Sequence, residues 1–152
     1  MARFLALCLA AVALGAGGCG GDDKGDYADD VREVGQKLQD SSVGTQLQNV
    51  KSPQQLAKAL REAADLLDEA ANDLEQVEPP DEVAAAHEKL TQGARETSDV
   101  FRRVADQAEA GDQQDVLGSL NELVGSGGAK KLEEGLNELE DKGYDVQDEG
   151  EQ

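Results

Sequence analysis

The chain has 152 residues, and its 33 aspartate and glutamate residues outnumber its 14 lysine and arginine residues, which gives a formal net charge of −19. This balance argues against a nucleic-acid partner, because binding a phosphate backbone requires a basic face. With 3% aromatic and 31% charged residues the composition also allows disorder. The helical periodicity described below predicts a folded domain instead.

The first 18 residues have the pattern of a signal peptide. Arg3 supplies a positive charge, and residues 4–14 form an unbroken apolar run. A run of about 11 residues suits a signal peptide and falls short of the roughly 20 that a membrane-spanning helix needs. Removing residues 1–18 takes away one charge, that of Arg3, so the remaining 134 residues carry a net charge of −20.

Cys19 lies where this leader meets the polar chain, in the sequence GAGGCGGDD of residues 15–23. The junction resembles the lipobox of bacterial lipoproteins, in the style of high-GC Gram-positive bacteria, and departs from it at Ala16, where that family favours leucine. The resemblance implies cleavage before Cys19 and a diacylglyceryl cysteine at that position, with palmitate-type acyl chains. It also implies a chain anchored to the cell membrane on its extracytoplasmic face, which two or three acyl chains hold stably.

Two other interpretations of the cysteines compete with this one. Cleavage near residues 15–17, as in an ordinary secreted protein, would leave Cys19 as a free thiol. Cys8 is discounted as a lipid site because the apolar run before it is too short. Neither Cys8 nor an acylated Cys19 can form a disulfide, so we expect a fold without cross-links.

The mature chain divides into three parts. Residues 19–26 contain the acylated cysteine and a Gly/Asp-rich stretch. This composition predicts a flexible tether. Residues 27–146 are predicted to form one helical-bundle domain, and residues 147–152 an acidic, disordered tail. The first helix is predicted over residues 26–39, because apolar residues recur there every three or four positions: Tyr27, Val31, Val34 and Leu38. A short helical turn follows, with Val43, Leu47 and Val50 as its apolar residues.

The second helix has a strong start signal. Ser52 is a helix cap, Pro53 suits the first helical position, and Gln55 completes a capping box. Pro79 and Pro80 are expected to end this helix. Its apolar seam follows a heptad spacing: Leu56, Leu60, Ala63, Leu67, Ala70, Leu74 and Val77.

A third helix is predicted to start at Pro80 or Asp81 and to end at Gly111. Two seams of similar length on either side of a Pro-Pro pair predict an antiparallel helical hairpin. The seam of the third helix consists of Val83, His87, Leu90, Ala94, Thr97, Phe101, Val104 and Ala108.

A fourth helical segment is predicted to start at Asp112 and to resume after the glycines of residues 125–128. Each interior glycine costs about 1 kcal/mol, and the sequence does not decide whether they kink the helix or break it. At its end, Gly143 is expected to take a left-handed conformation that folds Tyr144 back onto Leu139. The fold class is therefore all-α, an antiparallel up-and-down bundle of four helices, or five if the last one breaks.

His87, Arg102 and Arg103 are the candidate functional residues of the predicted domain. His87 is the single histidine and lies on a buried seam, without a carboxylate or second histidine within one turn on its face. A packed or interhelically bonded histidine is favoured over a ligand or general base. Arg102 and Arg103 form the most basic spot of the chain and could bind an anionic partner, although pairing with nearby acids is favoured.

Other polar stretches predict no catalytic, metal or cofactor site. The glycines of residues 125–128 lack the strand and the lysine of a phosphate loop, which favours a hinge or a small-residue packing point. The second helix has an acidic face that could hold a divalent cation but is more typical of a solvated surface. That face consists of Asp65, Asp68, Glu69 and Asp73.

Three functions follow as hypotheses. The first is a non-enzymatic lipoprotein that makes protein contacts in the cell envelope, which an apolar stripe left exposed by the bundle would favour. The alternative is a module that binds a small ligand or a divalent cation. An enzyme is the least favoured, because the usual catalytic groups are scarce and scattered, and helical bundles host too many functions for the fold to decide.

Overall fold

The computed structural model describes residues 21–111 and 127–146, and in these ranges the chain is helical without strands. Four long helices pack against one another, which confirms the all-α prediction. The helices described are α1 (Gly21–Gln39), the short α2 (Val43–Gln48), α3 (Pro53–Leu74), α4 (Ala84–Ala110) and α5 (Gly127–Asp141).

Several predictions from the sequence concern parts of the chain outside these ranges. They are the leader of residues 1–18, the acylated Cys19, the first half of the fourth helical segment in residues 112–126, and the tail of residues 147–152. Because α5 begins at Gly127, the question of a kink or a break at residues 125–128 also falls partly outside the described chain.

The tether of residues 19–26 was predicted too long, because α1 already begins at Gly21. Lys24, in the first turns of α1, forms an ion pair with Glu82, with its Nζ 2.9 Å from Glu82 Oε1. Lys24 therefore makes this contact from within residues 21–26, where the glycines had suggested a flexible tether and the chain instead forms the start of α1.

The start of α3 confirms the predicted cap. The backbone N–H of Gln55 donates to Ser52 Oγ at 3.2 Å, and Pro53 occupies the first helical turn. The side chain of Gln55 accepts a hydrogen bond from the N–H of Lys51 at 2.8 Å, one residue before the cap, where an ideal capping box would reach Ser52 itself.

The two central helices are shorter than predicted at the Pro-Pro connection. α3 ends at Leu74, and turns rather than helix lead to Pro79. α4 begins at Ala84, because Val83 N–H bonds Pro80 O at 2.9 Å in a turn that buries Val83 completely. The predicted end of α4 is confirmed, since Gly111 has a φ of 79°.

The long helices lie in the order α1, α3, α4, α5, and neighbours in this row run in opposite directions. Between α3 and α4, Arg61 pairs with Asp106 at 3.0 Å and Arg95 with Glu75 at 2.7 Å. Between α4 and α5, the contacts run from Glu96 with Lys131 at 2.5 Å to Lys89 with Glu138. Across α1 and α3, Lys37 bonds Asp73 at 2.9 Å.

Two apolar clusters form the core. The first lies at the end of the bundle where α1 begins and α5 ends, which we call the base, and it includes Tyr27, Leu74, Val83, Leu139 and Tyr144. The second lies toward the opposite end and is smaller: Ala57, Leu60, Val104, Ala105 and Ala108. The predicted seams supply most of both clusters, although Phe101 is only half-buried.

Glycines bring α4 and α5 into close contact. A Cβ atom added at Gly93 would lie 2.8 Å from Gly128 O and 2.9 Å from Leu132 N. One added at Gly128 would lie 2.7 Å from Thr97 Oγ1. Gly128 is thus a packing point between helices, one of the two roles that the sequence suggested for this glycine run.

The end of α5 has the predicted geometry. Gly143 has a φ of 80°, and the N–H of Tyr144 bonds Leu139 O at 2.9 Å. The N–H of Gly143 bonds Glu140 O at 2.8 Å, which completes a Schellman motif. This turn places Tyr144, 1% exposed, in the core of the base.

Candidate functional site

A buried hydrogen bond between Tyr27 and His87 lies in the base of the bundle. The hydroxyl of Tyr27, on α1, lies 3.0 Å from His87 Nδ1, on α4. His87 also makes a hydrogen bond to the backbone of Leu74, at the end of α3. His87 therefore joins α4 to α1 and to the end of α3.

The surroundings favour the neutral forms of this pair. Burial lowers the pKa of His87, and the bond to Leu74 opposes that shift only in part. Burial, followed by the nearby Tyr144, raises the pKa of Tyr27 to about 12. A general base at neutral pH needs a free nitrogen facing a substrate, and His87 is an interhelical bonding residue instead.

The stability of the domain should therefore fall as the pH drops below 6.5. The pKa of His87 is lower in the folded chain than in the unfolded one, so the unfolded chain binds more protons in this region. Its contribution is complete above the unfolded value of about 6.5 and is lost as the pH falls through the folded value. Urea unfolding between pH 5.5 and 8 measures this slope.

The variant His87→Gln is the control for this titration. The chain has no other histidine, and most carboxyl groups titrate below this window. We expect the variant to be less stable at pH 8 and to show a flat profile. An equal slope in the variant and in the native chain would contradict the assignment to His87.

Tyr144 and Lys24 cover the outer side of this pair. The ring of Tyr144 meets that of Tyr27 edge-on, with centroids 5.5 Å apart, and its hydroxyl donates to Glu82 Oε1 at 2.7 Å. Lys24 Nζ lies 4.9 Å from the Tyr144 ring centroid and bonds the carbonyl of Lys142 at 3.5 Å. Hydrogen bonds from Lys24 and Tyr144 lower the pKa of Glu82.

Arg102 belongs to an ion-pair network between α3 and α4. Its guanidinium lies 2.6 Å from Asp68 Oδ2 and 3.0 Å from Asp65 Oδ1. It also donates to Ser98 Oγ at 2.7 Å, and the fully buried Ser98 donates to Ala64 O at 3.0 Å. Burial tends to raise the pKa of Asp68, but the hydrogen bonds from Arg102 and Ser98 and the positive charges of Arg102 and Arg95 together lower it.

The two arginines therefore lie in different environments. The hydrogen bonds of Arg102 to Asp68 and Asp65 raise its pKa and leave little of its charge for another anion. Arg103, its neighbour in sequence, is exposed to solvent. The structure does not bring Arg102 and Arg103 together with His87, which lies about four helical turns away on α4.

Three of the four residues of the acidic face predicted on α3 form ion pairs within the bundle. Asp65 and Asp68 pair with Arg102, and Asp73 pairs with Lys37, whereas Glu69 is exposed. Within residues 21–111 and 127–146, no group of three or more acidic, histidine or cysteine side chains is arranged to hold a metal ion. In the same ranges no helix is long and apolar enough to cross a membrane.

A groove of about 130 Å³, which was not among the sites predicted from the sequence, lies between α1 and α3. The side chains of Lys37, Glu69 and Asp73 lie at its rim, and Lys37 bonds Asp73 across it. The residues that line the groove come from the last turns of α1 and from the second half of α3. Its walls are apolar and are formed by Val34, Leu38, Leu66 and Ala70.

The groove could not be found from the seams alone. Leu66 is adjacent to the seam residue Leu67, and both are half-buried, yet only Leu66 lines the groove. The signal in the sequence was this Leu-Leu pair, which widens the apolar face of α3 beyond a single seam.

The fold and these contacts define an acidic helical bundle with an internally bonded base and an apolar groove on one side. Comparison with protein-family models, curated proteins and solved structures finds no match.

Proposed function

We propose that this protein is a lipoprotein of the extracytoplasmic face of the cell membrane, without enzymatic activity, that mediates protein contacts in the cell envelope. The groove between α1 and α3 is the observation that carries the interaction role. The resemblance of residues 15–23 to a lipobox supports the anchor at Cys19. The anchor would concentrate the domain at the membrane, where a partner is met.

The chemistry of the groove indicates what its partner presents. A cavity of about 150 Å³ accommodates benzene, so a groove of about 130 Å³ suits one large apolar side chain. The exposed Glu69 at its rim, on a chain of strongly negative charge, favours lysine or arginine beside that side chain. The partner proposed is therefore a protein segment with an apolar anchor and basic flanks.

The engagement of His87 and Ser98 inside the bundle supports a role other than catalysis. His87 makes hydrogen bonds to Tyr27 and to the backbone of Leu74, and Ser98 is buried between Ala64 and Arg102. A nucleophile and its base must lie within hydrogen-bond reach of each other, and these two residues are eleven positions apart on α4.

Cross-linking in cells tests the proposal. An amine-reactive cross-linker reaches Lys37 at the groove rim, and mass spectrometry identifies the partner segment and the mature N-terminus together. We expect a basic, apolar partner segment linked to Lys37, and loss of that link in the variant Cys19→Ala. Links from a partner to Lys51 or Lys58 alone would contradict the groove assignment.

Matched variants measure the contribution of the groove. Leu66→Ser removes an apolar wall, and a buried leucine contact is worth about 1.5–3 kcal/mol, so the affinity should fall roughly tenfold to a hundredfold. Leu67→Ser makes the same chemical change on the same helix outside the groove and should leave affinity unchanged. Equal losses in both variants would show that the effect lies in stability and not in binding.

The alternative function is the binding of a small apolar ligand in the same groove. Cross-linking through Lys37 and the two leucine variants distinguish it from binding of a protein partner. It predicts a rise in melting temperature with a ligand panel, abolished by Leu66→Ser, and no partner linked to Lys37. A divalent cation would raise the melting temperature of both leucine variants alike, because the metal would use acidic side chains elsewhere.

A further inference from the structure

We propose that Lys37 closes the groove between α1 and α3 in the free protein, and that a basic residue of the partner opens it. The partner's cation takes Asp73, and the ammonium group of Lys37 then pairs with Glu33 alone. This inference rests on the proposed binding of a basic, apolar protein segment in the groove. It adds a condition for entry, because an apolar segment without a cation leaves Lys37 in place.

The first observation is that the side chain of Lys37 spans the mouth of the groove. It extends from α1, and its Nζ lies 2.9 Å from Asp73 Oδ2 on α3. Both residues line the groove together with the apolar residues of its walls. A segment whose apolar side chain enters the groove therefore meets this ion pair.

The second observation is that Lys37 has another carboxylate within reach. Its Nζ lies 3.6 Å from Glu33 Oε1, one turn earlier on the same helix, so this pair does not cross the groove. The hydrogen bond and the charge of Asp73 are the main causes that raise the pKa of Lys37, and Glu33 contributes less. Lys37 is therefore held mainly by Asp73, and a small displacement leaves its charge paired on α1 with the groove open.

The third observation is the exposure of the ion pair that closes the groove. The side chain of Lys37 is 52% exposed and that of Asp73 is 27% exposed. Exposed ion pairs are weak, because water competes for both charges. A cation that arrives with an apolar anchor, whose burial favours binding, can therefore replace Lys37 at Asp73.

The carboxylates on α3 indicate which cation fits best. Glu69 and Asp73 are four positions apart on this helix, which puts their Cβ atoms about 5–6 Å from each other, and both line the groove. The planar guanidinium of arginine has N–H donors in a fixed fork and can bond two carboxylates, whereas an ammonium group is a point charge. The residue beside the apolar anchor is therefore arginine.

A short peptide of defined sequence, acetyl-Arg-Phe-Arg-amide, tests the closing role of Lys37. Its phenyl ring suits the volume of the groove, and the methyl NMR signals of Leu66, identified by their loss in Leu66→Ser, report binding. Lys37→Met removes the ammonium group and should raise the affinity about twofold to fivefold, the worth of an exposed ion pair. Lys58→Met makes the same change on α3, about 16 Å along the helix from Glu69 and thus about two Debye lengths away, and should leave the affinity unchanged.

Glu33→Gln separates transfer of Lys37 from simple repulsion between like charges. With Lys37 present, loss of the second carboxylate should weaken peptide binding about twofold, since a pair four positions apart on a helix contributes modestly. In the Lys37→Met background the same substitution should have no effect, because no ammonium group needs a new partner. Equal weakening in both backgrounds would show repulsion alone and would overturn the transfer to Glu33.

The same titrations distinguish failure of this inference from failure of the proposed function. Binding that Leu66→Ser abolishes, with equal affinity in Lys37→Met and Lys58→Met, overturns the closing role of Lys37 and leaves the groove as a binding site. A native chain whose Leu66 signals do not shift, with no binding in Lys37→Met either, overturns both.

Discussion

Replacing Tyr144 with alanine is expected to destabilise the domain by about 3–5 kcal/mol, the range for removing a large aromatic side chain from a core. Tyr144 is 1% exposed, and its ring packs edge-on against Tyr27. The backbone bond from the Tyr144 N–H to Leu139 O, which alanine would keep, places this side chain just after the end of α5. Its loss should therefore loosen the end of α5 and the first turns of α1 together. Urea unfolding, followed by circular dichroism, measures the change.

Tyr144→Phe separates ring packing from the hydroxyl group. The hydroxyl donates to Glu82, whose side chain is half-exposed, so water can replace most of that bond. We expect the phenylalanine variant to lose much less stability than the alanine variant. Similar losses in the two variants would mean that the hydrogen bond, and not burial of the ring, holds the base together.

Replacing Gly93 with alanine is expected to destabilise the domain by about 1–3 kcal/mol, although alanine is the better helix former by about 1 kcal/mol. The added Cβ would meet two backbone atoms of α5, Gly128 O at 2.8 Å and Leu132 N at 2.9 Å. Backbone atoms cannot rotate away as a side chain can, so α5 must shift from α4. The melting temperature should fall by roughly 4–12 °C.

Gly35→Ala is the matched control for this effect. Gly35 lies inside α1, and a Cβ added there would have no neighbour within 4 Å. Alanine should stabilise the domain at this position by about 0.5–1 kcal/mol through helix propensity. The same substitution should thus have opposite signs at the two glycines. Stabilisation at both would show that α4 and α5 are not in close contact.

The apolar periodicity was sufficient to predict the helices, because burial on one face leaves a repeat of three or four residues in the sequence. The helix ends could also be predicted, because helix capping depends on local backbone chemistry. The capping residues are Ser52 and Pro53 at the start of α3, Gly111 after α4 and Gly143 after α5. Local signals were less reliable at α1, where the glycines around residues 20–25 suggested a tether. Contacts of Lys24 with residues more than fifty positions away extend the helix there.

In the candidate site, too, some features could be predicted from the local sequence and others depend on contacts between distant residues. The burial of His87 followed from its place on a seam, but its partner Tyr27 lies sixty positions away, and no local pattern could name it. Arg102 pairs with Asp65 and Asp68, as its acidic surroundings suggested, although the particular acids depend on how α3 and α4 align. The groove at Leu66 depends on how α1 and α3 pack against each other, which the sequence pattern of either helix alone does not determine.

Helix positions, helix ends, the acidic charge and the lipobox-like junction at Cys19 are therefore local properties, visible in the order of the residues. The neighbour of each helix, the close approach at Gly93 and Gly128, the bond between Tyr27 and His87, and the groove beside Leu66 arise only when distant segments meet. The reason is physical: backbone and burial preferences act within a few residues along the chain, whereas contacts between helices depend on the shapes and charges of both surfaces at once.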